Sequence, residues 1–198
     1  MPPKFFLPMI LPVRAYGDPV LRVNCRDIDK DYPALDTLLD NMFETMYASH
    51  GVGLAAPQIG LPIRIFIVDV SPFAEDEEEE ELIKELQAFK KVFVNARKVE
   101  ETGEEWKFNE GCLSIPGIRE DVSRHENITL EYLDENFKKH TTTFTGLPAR
   151  VIQHEYDHIE GVLFTDYLSV FKKRLIKKKL NNITKGEVSV DYKMRFPK

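Results

Sequence analysis

Two histidines four residues apart give the strongest chemical signal in this sequence. The segment His154-Glu155-Tyr156-Asp157-His158 lies among apolar residues with helical spacing. Residues i and i+4 share one face of a helix, so both imidazoles can bind a single metal ion. Glu155 lies about 100° around the helix from His154 and can reach a water molecule on that ion. This spacing favours a metal site over two unrelated surface histidines.

The frequency of this pattern supports that interpretation. The chain has 5 histidines and 33 acidic residues among 198. At those frequencies, a His-acid-x-x-His string is expected by chance roughly 0.02 times in a chain of this length.

A catalytic metal site usually has three protein ligands and one position left for water, so a third ligand is needed. Cys112 is the best candidate, because a thiolate binds metals strongly and the preceding Gly111 allows close backbone approach. Cys25, the other cysteine, is expected to be a small buried side chain. Two cysteines are too few for a disulfide scaffold. Free thiols in a reducing compartment are therefore a simpler interpretation than a Cys25–Cys112 disulfide.

Hydrophobic periodicity predicts the elements that would position these residues. Three-four spacing predicts a helix from Asp31 to Met46, capped by Asp31 with Pro33 in its first turn. A second helix, from Pro148 to Glu160, carries the histidine motif and is closed by Gly161. A third helix begins near Ser169. β-Branched and apolar runs predict four strands: Ile63–Val70, Val92–Val99, Ile128–Leu133 and Lys138–Phe144, the last two forming a hairpin.

These elements predict an α+β fold with mainly antiparallel sheets packed around a central helix that carries the His-Glu-x-x-His motif, followed by a C-terminal helix. Residues 1–198 are of a length that suits a single catalytic domain. The acidic run 75–81 is expected to be a solvated surface loop. Leu168, Phe171, Leu175, Ile176 and Leu180 are expected to form the packed stripe of a basic C-terminal helix over 169–180, between its lysines.

Hydropathy gives no prediction of a membrane segment. No apolar run approaches the roughly 18 residues needed to cross a bilayer. The apolar start of the chain is interrupted by Pro8 and Pro12 and lacks a small-residue cleavage site, so it is read as mature chain. We expect a soluble cytoplasmic protein that does not contact membranes.

Three motifs, taken together, point to a known family. They are Gly51-Val52-Gly53-Leu54-Ala55-Ala56-Pro57-Gln58, Glu110-Gly111-Cys112-Leu113-Ser114-Ile115-Pro116-Gly117, and Gln153-His154-Glu155-Tyr156-Asp157-His158. In type and order they resemble the three signature motifs of peptide deformylases. The resemblance extends from about Ile10 to Leu180. The acidic run 75–81 and the tail beyond Asn181 depart from it.

This resemblance implies an activity and a role for each matching residue. The reaction would remove the N-formyl group from the N-terminal methionine of newly synthesised polypeptides and release formate. Cys112, His154 and His158 would hold the metal, with Glu155 as general acid and base. The Gln58 side chain and the Leu113 backbone N–H would donate to the formyl oxygen. Gly51, Val52 and Gly53 would bind substrate, Gly53 by pairing along the peptide backbone. Asp157 either orients a ligating histidine or is a solvated surface carboxylate.

The resemblance also suggests cofactors and partners. Thiolate and imidazole ligands suit zinc, iron, cobalt and nickel alike. The family typically uses Fe²⁺ in the cell, which is lost on oxidation, so purified protein can carry Zn²⁺, Ni²⁺ or Co²⁺. The partners would be nascent formyl-methionyl polypeptides and, through the basic C-terminal helix, the ribosome. The alternative for that helix is a solvated charged face over a packed stripe.

Two other functions remain open from the residues alone. A zinc-dependent endopeptidase shares the His-Glu-x-x-His motif, although its usual third ligand is a histidine or glutamate rather than an upstream cysteine. A non-catalytic, metal-stabilised interaction module would close all four coordination positions with protein. One cysteine and two histidines leave such a module one ligand short.

Overall fold

The computed structural model describes residues 8–197, which form four α-helices and seven β-strands. Residues 1–7, which include the first part of the apolar start of the chain, and residue 198 lie outside the described residues. The helices are α1 (Leu35–Ala48), α2 (Glu80–Ala88), α3 (Gly146–Ile159) and α4 (Val170–Thr184). The strands are β1 (Val13–Arg14), β2 (Gly53–Ala55), β3 (Ile65–Asp69), β4 (Lys90–Cys112), β5 (Ile115–Leu133), β6 (Lys139–Thr145) and β7 (Met194–Arg195).

The strands form one large antiparallel sheet and one small parallel pair. The large sheet has the order β2-β3-β4-β5-β6, and each neighbouring pair in it is antiparallel. β1 and β7 pair in parallel and bring the two ends of the described chain together. The predicted α+β class with mainly antiparallel pairing is confirmed.

Strand β3 shows why a short, wholly apolar run marks the centre of this fold. Ile65 and Ile67 pack on one face with α1 residues, among them Met42. Phe66 and Val68 pack on the other face in the cluster that contains α3 residues. Because helices cover both faces, Ile65 to Val68 are all apolar. Asp69, the last residue of the strand, is polar and accepts from the Tyr47 hydroxyl.

Strands β4 and β5 are much longer than predicted. The runs Val92–Val99 and Ile128–Leu133 are only the buried base of a hairpin that continues to Cys112 and Ile115. Many residues further along β4 are exposed and polar, so hydrophobic alternation gives little sign of them. Several register shifts also interrupt the pairing, and each irregularity reverses the face on which the next residues point.

The acidic run 75–81 does not form the expected loop. A 3₁₀ helix spans Ser71–Asp76, and α2 begins at Glu80. Helix α2 forms because Leu86 is buried and Leu82 and Ile83 pack against the main core. The acidic side chains of the run are exposed or half-buried, as expected of like charges in water.

Two helix boundaries also differ from expectation. Helix α1 begins at Leu35 rather than Asp31, because Ala34 adopts a left-handed conformation with φ 54°. Asp31 therefore does not cap it, and Pro33 lies in the preceding turn. Helix α4, predicted to begin near Ser169 and to end at 180, continues to Thr184; Ser169 caps its start by accepting a hydrogen bond from the Lys172 N–H.

Helix α3 is the central helix of the molecule. Twelve of its 14 residues are buried, from Pro148 to Ile159. It spans Gly146–Ile159, close to the predicted Pro148–Glu160. Gly161 follows it with a φ of +73°, which suits glycine, and its missing Cβ would lie 2.8 Å from the Arg22 backbone. Among residues 8–197, no helix is both long and apolar enough to cross a membrane.

Candidate active site

The three predicted metal ligands come together from two distant parts of the chain. His154 and His158 project from α3, and Cys112 is the last residue of β4. Cys112 Sγ lies 3.2 Å from His158 Nε2, and one ligand atom from each of the three residues lies within 4.8 Å of the others. Such spacing is what one ion bound by three groups requires.

A bulge at the end of the hairpin places Cys112. Gly111 is opposite Arg119, whereas the next residue, Cys112, is opposite Ile115. This register shift leaves Leu113 and Ser114 as a tight turn beside the histidines. An added Cβ on Gly111 would lie 2.9 Å from Arg119 Nη1, so glycine at this position also leaves room for that side chain.

The hydrogen bonds around the two imidazoles suit metal ligation. His154 Nδ1 lies 2.9 Å from Glu110 Oε2. A carboxylate only accepts, so Nδ1 carries a proton and Nε2 is the nitrogen available to a metal ion. Burial lowers the pKa of His158 well below its ordinary value, and the neighbouring His154 charge lowers it further, which keeps that ring neutral. Burial also opposes charge on His154, but hydrogen bonds to Cys112 and Glu110 raise its pKa well above the usual value.

The raised pKa of His154 indicates that the space between Cys112, Glu110 and the two imidazoles favours positive charge. Cys112 and Glu110 flank His154, and one His158 ring nitrogen faces the sulfur. A soft thiolate with two imidazoles is a donor set for a divalent transition metal. The residues present therefore fit a metal ion.

A buried charge cluster that the sequence did not reveal supports His154. We call Glu110, Arg124, Arg150 and Asp157 the Glu110 cluster. Arg124 Nε donates to Glu110 Oε1 at 2.7 Å, and Arg150 Nη1 donates to the same oxygen at 3.2 Å. Burial disfavours the charged form of Glu110, but hydrogen bonds from His154 and Arg124 outweigh it and hold its pKa well below the usual value.

Asp157 matches neither alternative proposed from the sequence. It is buried, and its Oδ2 accepts from Arg124 Nη1 at 2.7 Å. Glu110, not Asp157, holds the ligating His154. Glu110 stands in the second motif, beside Gly111, but Arg124 and Arg150 lie outside the motifs, so only the strand register and helix packing identify them.

Glu155 is buried against the backbone of β2. Its side chain is only 4% exposed, and its Oε2 has no hydrogen-bond partner among the described residues. Burial raises the pKa of Glu155 to about 7, although the His154 charge opposes the rise. An ideal Cβ on Gly53 would lie 2.5 Å from Glu155 Oε1, so only glycine leaves room for this carboxylate.

Gln58 and Leu113 lie on either side of Cys112. Gln58 is buried, and its Oε1 accepts from the Ala55 N–H at 2.8 Å. This bond directs the amide nitrogen toward Cys112 Sγ, at 3.5 Å, and Ser114 Oγ, at 3.4 Å. Leu113 follows Cys112 directly, and its side chain packs against Gly51.

A cavity of about 520 Å³ opens onto these groups. Its lining includes the predicted substrate-binding residues Gly51, Val52 and Gly53 together with Gln58, Cys112, Leu113, His154 and Glu155. Of the predicted site residues, His158 lies behind the lining rather than in it. The cavity is also lined by Phe73, Phe108 and Val151, which are apolar, and by residues 189–192 near the C-terminus.

An antiparallel α+β fold, with a Cys–His–His cluster and a buried glutamate on its central helix, defines this protein as a metal-dependent hydrolase. The family model described as "Polypeptide deformylase" matches residues 10–174. A peptide deformylase of Christiangramia forsetii is 65% identical over 96% of this chain and 97% of its own length. One from Flavobacterium psychrophilum is 61% identical over 95% of this chain and 97% of its own.

Similar solved structures are peptide deformylases too. A peptide deformylase of Legionella pneumophila is 36% identical, with a TM-score of 0.75, and the match covers 90% of this chain and 98% of that one. Peptide deformylase 1B of Arabidopsis thaliana, solved with an inhibitor, is 33% identical, with a TM-score of 0.76, over 89% and 92% of the two chains.

The chain belongs to the peptide deformylase family. Its activity is the removal of the formyl group from the N-terminal methionine of newly synthesised polypeptides, with release of formate. The matches favour neither an endopeptidase nor a metal-stabilised interaction module.

Proposed function

We propose that deformylation takes place at the cluster of Cys112, His154 and His158, with Glu155 as the general acid and base. The observation that carries this proposal is the convergence of three ligand atoms within 4.8 Å beside a buried carboxylate, Glu155, whose Oε2 has no hydrogen-bond partner within residues 8–197. Cys112, His154 and His158 would hold a divalent ion, which when bound supplies Lewis-acid activation of water near neutral pH.

Glu155 would carry the proton through the reaction. Its carboxylate accepts a proton from the attacking water and delivers it to the nitrogen of methionine as the formyl C–N bond breaks. Formate leaves, and the peptide keeps a free amine. A pKa of about 7 suits both steps, because a group near neutrality can take up and release a proton at cellular pH.

Gln58 and Leu113 would stabilise the charge that develops on the formyl oxygen. Donors fixed before the reaction stabilise such charge better than water does, because they do not need to reorient. The Ala55 N–H fixes the Gln58 amide, and the tight turn after Cys112 fixes the Leu113 backbone. The two donors thus come from two separate segments of the chain that both line the cavity.

The edge of the large sheet offers a place for the peptide. β2 is the outermost strand in the order β2-β3-β4-β5-β6, so Gly53 lies on an edge with no further strand among the described residues. An extended peptide can add to such an edge through backbone hydrogen bonds. Gly51, Val52 and Gly53 would then bind the substrate backbone, while apolar residues such as Val151 accommodate methionine.

For the native metal we propose Fe²⁺, with Zn²⁺, Ni²⁺ or Co²⁺ in purified protein, because one thiolate and two imidazoles accept all of these ions. For the location we propose the cytoplasm. Both Cys25 and Cys112 are free thiols in the structure, as a reducing compartment requires.

The test is formate release from a formyl-methionyl peptide by anaerobically purified protein. Glu155→Ala should retain bound metal and lose about 10²- to 10⁴-fold in turnover, the usual contribution of a general acid and base. Cys112→Ala should lose metal as well as turnover. Cys25→Ala is the matched control: it removes a buried thiol away from the cavity and should leave both unchanged. Wild-type rates in either site variant would refute the assignment.

We propose a second role for α4, as a contact with ribosomal RNA. Lys177, Lys178 and Lys179 are exposed, and such a basic run can bind phosphate groups. The predicted packed stripe is incomplete: Phe171 and Leu175 are 70% and 63% exposed, whereas Ile176 and Leu180 are buried. Exposed apolar side chains beside a basic run suit a partner surface better than a purely solvated face.

Reversing these three charges tests the contact. The triple variant K177E, K178E and K179E should co-sediment less with ribosomes at low salt. A control with the same change of net charge, K84E, K91E and K138E, alters exposed lysines outside α4 and should bind as wild type does. Equal binding by all three proteins would remove the proposal.

A further inference from the structure

The chain after α4 returns to the active site and forms part of the cavity wall. It turns back at Gly186, whose N–H donates to the Ile183 carbonyl, and enters β7 beside β1. Val188 and Phe196 pack against the hydrophobic cluster that includes Leu163, Phe164 and Ile176, which we call the C-terminal core. Both ends of this returning segment are therefore anchored. Between these anchors, residues 189–192, which we call the C-terminal wall, line the cavity.

Two contacts tie the C-terminal wall to the loop before the first motif and to the turn after Cys112. Asp191 Oδ2 lies 3.5 Å from Nε2 of His50, and His50 lies in the loop before the first motif. The Tyr192 hydroxyl donates to the Leu113 carbonyl oxygen at 2.8 Å. Tyrosine ordinarily titrates near pH 10, so this hydroxyl keeps its proton at neutral pH.

The second contact is with Leu113, whose backbone N–H is the proposed donor to the formyl oxygen. Leu113 and Ser114 form the tight turn after Cys112. The Ser114 carbonyl accepts from the Tyr16 N–H at 2.8 Å, and the Leu113 carbonyl accepts from Tyr192. Both carbonyls of the turn are therefore held by residues near the two ends of the chain.

We propose that Tyr192 is a positioning residue for deformylation: by holding the Leu113 carbonyl, in the peptide group after the one that carries the Leu113 N–H, it restrains the turn that presents this N–H to the formyl oxygen. This inference rests on the proposed role of the Leu113 N–H. A preorganised donor loses its advantage when the turn that carries it can shift. Tyr192 would therefore affect the transition state rather than the binding of the peptide.

The test compares Tyr192→Phe with wild type in formate release, at matched metal content. Removing one hydrogen bond that orients a donor should lower kcat by about three- to tenfold. KM should stay within about twofold, because the ring and the substrate-binding strand remain in place. The thermal midpoint and the metal content should match wild type. Tyr132→Phe, a buried tyrosine outside the cavity lining, is the control and should leave kcat unchanged.

Each other result overturns the inference. A wild-type kcat in folded, metal-loaded Tyr192→Phe would do so, and so would a decrease that parallels loss of metal or of the folded state. Tyr192→Met removes ring and hydroxyl together. If it is impaired while Tyr192→Phe is not, the ring packs and the hydroxyl positions nothing. In all these cases wild-type formate release still stands, so failure of this inference is distinct from failure of the deformylase assignment.

Discussion

Helices α3 and α4 have nearly the same length but place their charged residues in opposite surroundings. Twelve of the 14 residues in α3 are buried, whereas in α4 the buried residues are Ile176, Leu180 and Ile183 among 15. Arg150, Glu155 and Asp157 of α3 are buried, while the lysines of α4 are exposed or half-buried. Burying a charge costs several kcal/mol unless it is paired, and exposing one costs little. The charges of α3 are thus constrained by the fold, and those of α4 are not.

This difference explains why α3 needs the long hairpin of β4 and β5. Glu110 on β4 and Arg124 on β5 provide the partners that make buried charges on α3 tolerable. Glu110 also accepts from His154 Nδ1, so stability and the orientation of His154 depend on one set of contacts.

Replacing Glu110 should remove the central contacts of the buried charges around α3, and we expect it to have the largest effect on the free energy of unfolding. Glu110→Leu leaves Arg124 and Arg150 buried with their main anion removed, and His154 without its acceptor. Breaking one partner of a buried pair typically costs about 3–5 kcal/mol. We expect a loss of that order in the free energy of unfolding, measured in urea at neutral pH and equal metal loading.

The pH dependence gives the same prediction a second measurement. The lowered pKa of Glu110 means that its pairing stabilises the fold fully above the ordinary glutamate range and loses this effect as pH falls. The difference between wild type and Glu110→Leu should therefore shrink in acid. Glu131→Leu is the control, since its pair with Lys139 is exposed and worth at most about 1 kcal/mol. Equal losses in the two variants would contradict the comparison.

The sequence predicts the local part of the site well. Spacing along one helix indicates His154, Glu155 and His158, because an α-helix fixes which side chains share a face. Cys112 needed the family resemblance in addition, since it lies 42 positions before His154 and no local rule links them. Arg124 and Tyr192 had no signal in the sequence. Their roles arise from strand register and from the returning C-terminal segment, which are tertiary features.

The fold, like the site, divides into elements that the sequence predicts locally and elements that depend on tertiary packing. Strand β3 could be predicted because helices cover both of its faces, so every residue before Asp69 at its end is apolar. The outer parts of β4 and β5 were missed because their side chains are mostly exposed, and α2 was missed because acidic residues obscure its three apolar positions. Hydrophobic pattern predicts an element only where the core determines its residues.

Two substitutions within α4 sharpen the comparison between buried and exposed helix positions, and their expected effect on the free energy of unfolding is intermediate. Ile176 is 5% exposed and packs in the C-terminal core, whereas its neighbour Leu175 is 63% exposed. Ile176→Ala should lower the free energy of unfolding by about 2–4 kcal/mol, as buried truncations do. Leu175→Ala should change it by no more than about 0.5 kcal/mol. Similar losses from both would show that α4 is covered on a second face in the folded protein.

The smallest effect on folding is expected from the exposed lysines of α4. Lys177→Ala, Lys178→Ala and Lys179→Ala should each stay within about 0.5 kcal/mol of wild type in urea unfolding, because each side chain is solvated and alanine is a good helix former. A loss above about 1 kcal/mol in any of them would mean that the lysine has a structural partner. If all three fold normally, reduced ribosome co-sedimentation of the charge-reversed protein reports charge alone. The contrast with Glu110 then separates charges that the fold requires from charges that only a partner requires.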